Sequence, residues 1–293
     1  MTFERIGDIE VLVSGGAELG EGPVWDVRDA RLVWVDILGK RVHRTDPATG
    51  ETESIETPLH VGSVAPRAAG GFVAALEDGF WIVGDGLARR VATVPEARAG
   101  LRFNDGKADP AGRFWAGTME YAKRPGTAAL YRLDGPGRAA LQIAGATISN
   151  GLAWSPDART MFYIDTPTRT IDAFDFDPAS GSIANRRTIV AIEPGVGSPD
   201  GMTIDVEGGL WVALWGGSAV RRYIDGVLDR VVVLPVRKPT SCAFGGPDLD
   251  ELYVTSAWEE HTAADRRADP LAGAVLRLRP GVRGVPPAVV TTI

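Results

Sequence analysis

Glu21, Asn104, Asn150 and Asp200 stand at matching points of four copies of one short unit that recurs six times along the chain. Two carboxylates and two carboxamides directed at one point would repel one another or lose hydration unless something positive sat between them. A divalent cation resolves that conflict. The all-oxygen set suits calcium, magnesium or manganese, although carboxylates also hold zinc and ferrous iron. A histidine-built zinc site is not an alternative, because His43, His60 and His261 are scattered and show no paired ligand spacing. Asn-Asp-Gly, Asn-Gly and Pro-Asp-Gly are also ordinary turn sequences that need no ligand. It is their common register, with Glu21 included, that points to a metal site.

The elements that must position these residues are read from the repeat. Its strand-like cores are Leu32-Val-Trp-Val-Asp, Gly71-Phe-Val-Ala-Ala, Arg113-Phe-Trp-Ala-Gly, Met161-Phe-Tyr-Ile-Asp, Gly209-Leu-Trp-Val-Ala and Glu251-Leu-Tyr-Val-Thr. Their third residues, Trp34, Val73, Trp115, Tyr163, Trp211 and Tyr253, lie 39 to 48 residues apart. One four-stranded propeller blade takes roughly 40–50 residues. A further strand signal follows each core, as in Arg41-Val-His-Arg-Thr-Asp or Ala129-Leu-Tyr-Arg-Leu-Asp, with turns such as Asp46-Pro-Ala-Thr-Gly and Asp177-Pro-Ala-Ser-Gly between strands. Six such units without linkers predict an all-β chain, a single six-bladed β-propeller domain over 1–293, rather than several small β-sandwiches. The innermost strand of each blade then lines a central channel. The segments ahead of the cores begin at Glu21, His60, Asn104, Asn150, Asp200 and Thr240, each 11 or 13 residues before the aligned third residue. Near-sixfold geometry brings these side chains to the channel mouth.

Bulk properties exclude several classes. A formal charge of -7 argues against nucleic acid, because phosphate binding needs a basic face. Apolar runs such as Val231-Val-Val-Leu fall far short of the roughly 20 residues a membrane span needs. Met1-Thr-Phe-Glu-Arg-Ile-Gly-Asp-Ile-Glu has neither the basic head nor the apolar core of a signal peptide, so a cytoplasmic protein is expected. The single cysteine, Cys242, has no partner for an internal disulfide and reads as a small apolar residue of an inner strand. No Gly-x-Ser-x-Gly elbow, dinucleotide fingerprint or P-loop occurs. The polar stretch 258–270 interrupts the sixth unit and reads as a lid over the mouth, with Trp258 or His261 touching substrate, or as a solvated insertion.

The chain resembles, from first blade to last, the gluconolactonase family that includes senescence marker protein (regucalcin). The resemblance is carried by Gly20-Glu-Gly-Pro-Val-Trp, by the run from Arg102-Phe-Asn-Asp-Gly-Lys through Asp109-Pro-Ala-Gly-Arg to Ala116-Gly-Thr-Met, and by Ser149-Asn-Gly-Leu, Pro199-Asp-Gly-Met and Thr240-Ser-Cys-Ala-Phe-Gly-Gly. It implies a propeller whose divalent metal is held by Glu21, Asn150 and Asp200, with Arg102 and Asn104 on substrate oxygens. It thereby moves Asn104 from the ion to the substrate. Some members add a glutamate shortly after Gly-Thr-Met; here Glu120 follows Met119 directly and is the counterpart for substrate contact, before the chain departs into Tyr121-Ala-Lys-Arg-Pro.

The chemistry implied is hydrolysis of a sugar lactone, with the ion as Lewis acid and Asp200 as general base. Two other readings fit the same residues at this stage. The same metal and cavity suit a phosphotriester hydrolase, and a propeller that binds calcium or a protein partner without catalysis needs no more than the ligands.

Overall fold

The computed structural model describes residues 8–94 and 99–293. Six antiparallel sheets of four strands follow one another along the chain, so the protein is a six-bladed β-propeller. Blade one comprises Gly20–Asp26, Arg31–Asp36, Arg41–Thr45 and Thr52–Glu56. The inner strands of the next five blades are Val61–Pro66, Leu101–Ala108, Ser149–Trp154, Ser198–Ile204 and Pro239–Gly245. Each packs against the inner strands of both neighbouring blades. The ring closes by exchange of an end strand: Glu10–Val13 pairs with Val275–Leu278 of blade six, and Arg277 clamps Glu10 through Nε at 3.0 Å and Nη2 at 2.5 Å.

The apolar runs that revealed the repeat are the second strands, such as Leu210–Trp215. A blade is covered on both faces, so its second strand is apolar throughout instead of alternating with polar residues. Leu210, Val212 and Leu214 pack toward Ile164 and Ile171 of blade four, whereas Trp211 and Ala213 pack toward Cys242 and Phe244 of blade six. Each of the six seams between adjacent blades holds its own buried cluster. Tryptophans in two of these seams are tied to aspartates at the turn out of the inner strand: Trp115 Nε1 donates to Asp109 at 2.9 Å and Trp211 Nε1 to Asp205 at 2.8 Å. The polar interruption after blade six's second strand includes a short helix, Ala263–Ala268, started by a reciprocal cap between Thr262 and Asp265. Among the described residues no helix is long and apolar enough to cross a membrane.

The Asn-Gly and Asp-Gly pairs, which read as turns in the sequence, are parts of the inner strands. Pairing with the second strand slips between Glu21 and Val24, Phe103 and Gly106, Asn150 and Leu152, and Pro199 and Met202. Blades two and six slip at the same level, between Val61 and Ser63 and between Pro239 and Ser241. A β-bulge leaves its extra residue outside the ladder and re-aims a side chain. A ring of bulges at one level therefore lets strand starts of separate blades turn side chains toward one place.

Candidate active site

Glycines follow the bulged residues because neighbouring inner strands crowd together near the axis. A Cβ on Gly201 would lie 2.1 Å from Ser241 Oγ and 2.8 Å from its Cα, and one on Gly151 would lie 2.9 Å from the Asp200 carbonyl oxygen. This close approach lets side chains from separate blades share one cavity of about 90 Å³, lined by Glu21, Arg102, Asn104, Asn150, Asp200 and, on its rim, Glu259.

The polar groups form a chain of hydrogen bonds across three blades. Arg102 Nη1 donates to Asn104 Oδ1 at 2.7 Å, and Asn104 Nδ2 donates to Asn150 Oδ1 at 3.1 Å and to the Ser149 carbonyl at 2.9 Å. Asn150 Nδ2 then donates to Thr166 Oγ1 at 2.8 Å, and that hydroxyl donates to the Pro199 carbonyl at 2.8 Å, one residue before Asp200. The carboxamide of Asn150 is thereby oriented from both ends. The backbone leading to two of these strands is held as well: Asp36 accepts from the Glu18 and Leu19 amides, and Asp165 from those of Thr147 and Ile148.

Charge in the cavity is unbalanced. Glu21 and Asp200 are 4% and 5% exposed. Burial pushes Glu21 up to about 8, reinforced by the nearby Asp105 charge, with the Gly22 amide pulling the other way. Burial, then Glu21, then Asp105, raise Asp200 well above the carboxylate range. Arg102 is buried too, which lowers its proton affinity against the pull of Glu259, Tyr121, Glu21 and Asp200. Among the described residues its Nε has no partner, and its guanidinium lies 5.8 Å from the Tyr121 ring centre.

These residues fit a hard divalent cation. The donors are oxygens, and two buried carboxylates carry more negative charge than Arg102 offsets. Among the described residues no three His, Cys, Asp or Glu side chains cluster in the manner of a metal site, so a cation at this point would draw on two carboxylates and the Asn150 carboxamide.

The structure brings Glu21, Asn104, Asn150 and Asp200 together as the register expected, with Arg102, which the resemblance implied, beside them, and departs from expectation at three points. Glu120 is not among the residues that line the cavity, and both its oxygens accept from Arg124, at 2.6 and 2.8 Å. His60 bonds to Tyr121 and lies 3.0 Å from Glu77, and Thr240 donates to the Gly20 carbonyl at 2.6 Å, so neither member of the sixfold register reaches the cavity. Within the 258–270 stretch, Trp258 and His261 stay off the cavity, with Trp258 Nε1 on the Gly16 carbonyl and the His261 side chain buried beside Asp269. Cys242 lies in the blade five–six seam with its thiol pushed up to about 12 by burial, which suits an inert apolar residue.

Sequence reasoning passed over Thr166, Trp215, Lys123 and Glu259, which also line the cavity. Thr166 and Trp215 sit where blades four and five leave their second strands. Those exits return to the same face as the bulges, and this was the available signal.

Six blades closed by an exchanged strand define a propeller with a polar cavity, shared among blades, at one end of the axis. Residues 19–258 match the model of the SMP-30/Gluconolactonase/LRE-like region, and the chain belongs to that family. It is 42% identical to regucalcin of Danio rerio, over 95% of this chain and 97% of the relative. It is 39% identical to the "Putative sugar lactone lactonase YvrE" of Bacillus subtilis (strain 168), over 88% and 89% of the two chains. Among solved structures, the calcium-binding protein regucalcin of Agrobacterium tumefaciens str. C58 superimposes with a TM-score of 0.90 at 27% identity, covering 99% of this chain and 98% of that one.

Proposed function

We propose that this protein hydrolyses a sugar lactone to the corresponding aldonic acid, with a divalent cation held by Glu21, Asn150 and Asp200. The observation that carries the reading is the meeting, in one small cavity, of two buried carboxylates of raised proton affinity with the hydrogen-bonded pair Arg102–Asn104. The name of the Bacillus subtilis relative supports the substrate class, and the calcium-binding description of the Agrobacterium tumefaciens protein supports a cation.

When bound, the cation supplies a Lewis acid for the lactone carbonyl and a counter-charge for the two carboxylates. Asp200 accepts a proton from the attacking water. The water oxygen adds to the acyl carbon, the ring C–O bond breaks, and the proton held by Asp200 passes to the departing ring oxygen, leaving a carboxylic acid and a hydroxyl. Arg102 lines the cavity with a buried guanidinium, a positive charge placed in advance for substrate oxygen that becomes negative. Asn104 accepts from a substrate hydroxyl through Oδ1, while its Nδ2 group, committed to the Ser149 carbonyl and Asn150 Oδ1, keeps Asn150 in position. Thr166 fixes the other end of Asn150.

The test is proton release from five- and six-membered aldonolactones, using protein stripped by chelator and then restored with calcium, magnesium, manganese, zinc or ferrous iron. Cation-restored hydrolysis above the spontaneous rate is expected. Cation binding without turnover of any ester would replace the reading with a binding protein, and turnover confined to phosphotriesters would move the reaction to phosphorus.

A further inference from the structure

Glu259 belongs to neither the cation set nor the Arg102–Asn104 pair, yet it lines the same cavity. Its backbone is pinned on both sides. The Glu259 amide donates to the Glu18 carbonyl at 2.9 Å, beside the Trp258 amide on the same oxygen at 3.1 Å. The Glu259 carbonyl accepts from Lys238 Nζ at 2.5 Å, and that ammonium sits 4.8 Å from the centre of the Trp215 ring, another cavity wall. The next residue, Glu260, pairs with Lys123 at 3.1 Å, which ties the blade-six insertion to the blade-three loop beside the mouth.

The side chain is treated differently from the backbone. Among the described residues the Glu259 carboxylate has no hydrogen-bond donor and no ion pair within salt-bridge distance, although it is half-buried and its attraction to Arg102 is the strongest favourable charge interaction it has. Lys123, the other cation lining the cavity, is engaged by Glu260. A half-buried carboxylate held in place by its backbone but left without donors is stabilised when a ligand brings them. A cation already has Glu21, Asn150 and Asp200, and Glu259 stands on the rim rather than in a bulge. The chemical groups that bring several O–H donors at once are the ring hydroxyls of a sugar.

We propose that Glu259 is the residue that selects polyhydroxylated substrates: its carboxylate accepts hydrogen bonds from ring hydroxyls while Arg102 and Asn104 engage oxygens on the other side of the ring. This rests on the sugar-lactone reading above for the identity of the reaction, but not for the binding contact itself. The same carboxylate disfavours lactones that carry an anionic group, through like-charge repulsion across the rim.

Two measurements separate the inference from the reading on which it rests. The first is the kcat/KM ratio of a six-membered aldonolactone to an unsubstituted six-membered lactone, in the wild type, Glu259→Gln and Glu259→Ala. The ratio is expected to fall about 10- to 100-fold in both variants, mainly through KM, as befits a lost charge-assisted hydrogen bond. The second is binding of a ring-form hexose, which carries the hydroxyls but no lactone carbonyl, followed by tryptophan fluorescence. Its Kd is expected to weaken at least 10-fold in Glu259→Gln. Glu260→Gln, a neighbour whose side chain holds Lys123 instead of facing the cavity, distinguishes a lost hydroxyl contact from a displaced segment; its hexose Kd is expected to stay within about threefold of wild type. Hexose affinity that is unchanged in Glu259→Gln, or equally weakened in Glu260→Gln, overturns the role given to Glu259. So does a loss of calcium affinity in Glu259→Gln comparable to that in Asp200→Asn, which would make Glu259 a cation ligand. Hexose binding that depends on Glu259 in a protein with no lactone turnover would keep the inference and reject the lactonase.

Discussion

The two ends of the axial channel are made from the same six strands, yet they differ in almost every respect. At the end where the inner strands finish lies the larger cavity, about 160 Å³, walled by Trp25, Trp154, Phe244, Pro286 and Pro287. At the end where they begin lies a cavity of about 90 Å³ with Glu21, Asp200 and Glu259 facing Arg102. The wide end contains its own charge compensation: Asp105 has Lys107 beside it as its largest favourable charge neighbour, and Lys107 Nζ donates to the Met202 carbonyl at 2.7 Å. The narrow end has three carboxylates against one buried guanidinium, its other cation, Lys123, being paired with Glu260 at 3.1 Å. Cavity size therefore does not mark the place for chemistry here. What marks it is a charge deficit that the protein does not fill with its own side chains, together with bulges that turn the strand starts toward the axis.

The sharpest way to break this contrast is to remove the carboxylate proposed as the base at the narrow end. Asp200→Asn is expected to lower kcat about 100- to 10,000-fold while leaving the thermal unfolding midpoint close to that of the metal-free wild type. A variant that turns over as fast as wild type would remove Asp200 from the mechanism.

Gly201→Ala tests the bulge that carries Asp200. The added Cβ meets Ser241 at 2.1 Å, so either the blade-five or the blade-six inner strand must shift. Stability should fall by about 1–3 kcal/mol and turnover at least 10-fold, measured by denaturant unfolding and by lactone hydrolysis. An equally active and stable protein would show that the inner strands are not packed as closely as the structure has them.

The charge deficit has a pH signature in protein stripped of metal. Glu21 has its proton affinity raised by folding to about 8, so the folded state binds more protons than the unfolded state between roughly 4.5 and 8. The stability this group leaves intact at low pH is therefore lost as pH rises through that window. The unfolding midpoint of metal-free wild type, relative to Glu21→Gln, should decline from pH 5 to pH 8. Added calcium should restore more at pH 8 than at pH 5. A difference that stays flat across this range would mean that the two carboxylates are not competing for charge.

A smaller effect probes the hydrogen-bond chain. Thr166→Val removes the hydroxyl that fixes Asn150 and should cost about 10-fold in calcium affinity or kcat/KM, with Thr166→Ser recovering most of it. At the wide end the expected change in turnover is smallest: Trp154→Phe keeps an aromatic wall and should alter kcat and KM less than twofold, even if unfolding shifts. A larger kinetic effect there would mean that the two ends act together.

Much of this arrangement was legible in the residues. The second strands announced themselves because packing between two blades makes them apolar on both faces, and Trp34, Trp115, Tyr163, Trp211 and Tyr253 recur at blade spacing for that reason. Glu21, Asn104, Asn150 and Asp200 were found because a repeat places matching positions at matching heights in the ring. Their neighbouring glycines looked like turns, since a short Asn-Gly or Asp-Gly pair has the same local signature in a turn and in a bulge; only the register of the paired strand distinguishes them. Matching height also did not ensure a shared role. His60 and Thr240 occupy the same register but are engaged by Tyr121 and by the Gly20 carbonyl, partners whose proximity no spacing encodes. The same limit explains Glu120 and Glu259. Glu120 ends a second strand and Glu259 lies just after one, but an arginine four residues on captures Glu120, while the backbone anchors of a non-repeating insertion bring Glu259 to the rim without donors among the described residues. The sequence by itself determined the blades and the heights of their polar residues, because periodic burial leaves a periodic pattern. Which carboxylates stay unpaired at the mouth was decided only by the tertiary structure, because pairing depends on groups that are distant in the chain and close in space.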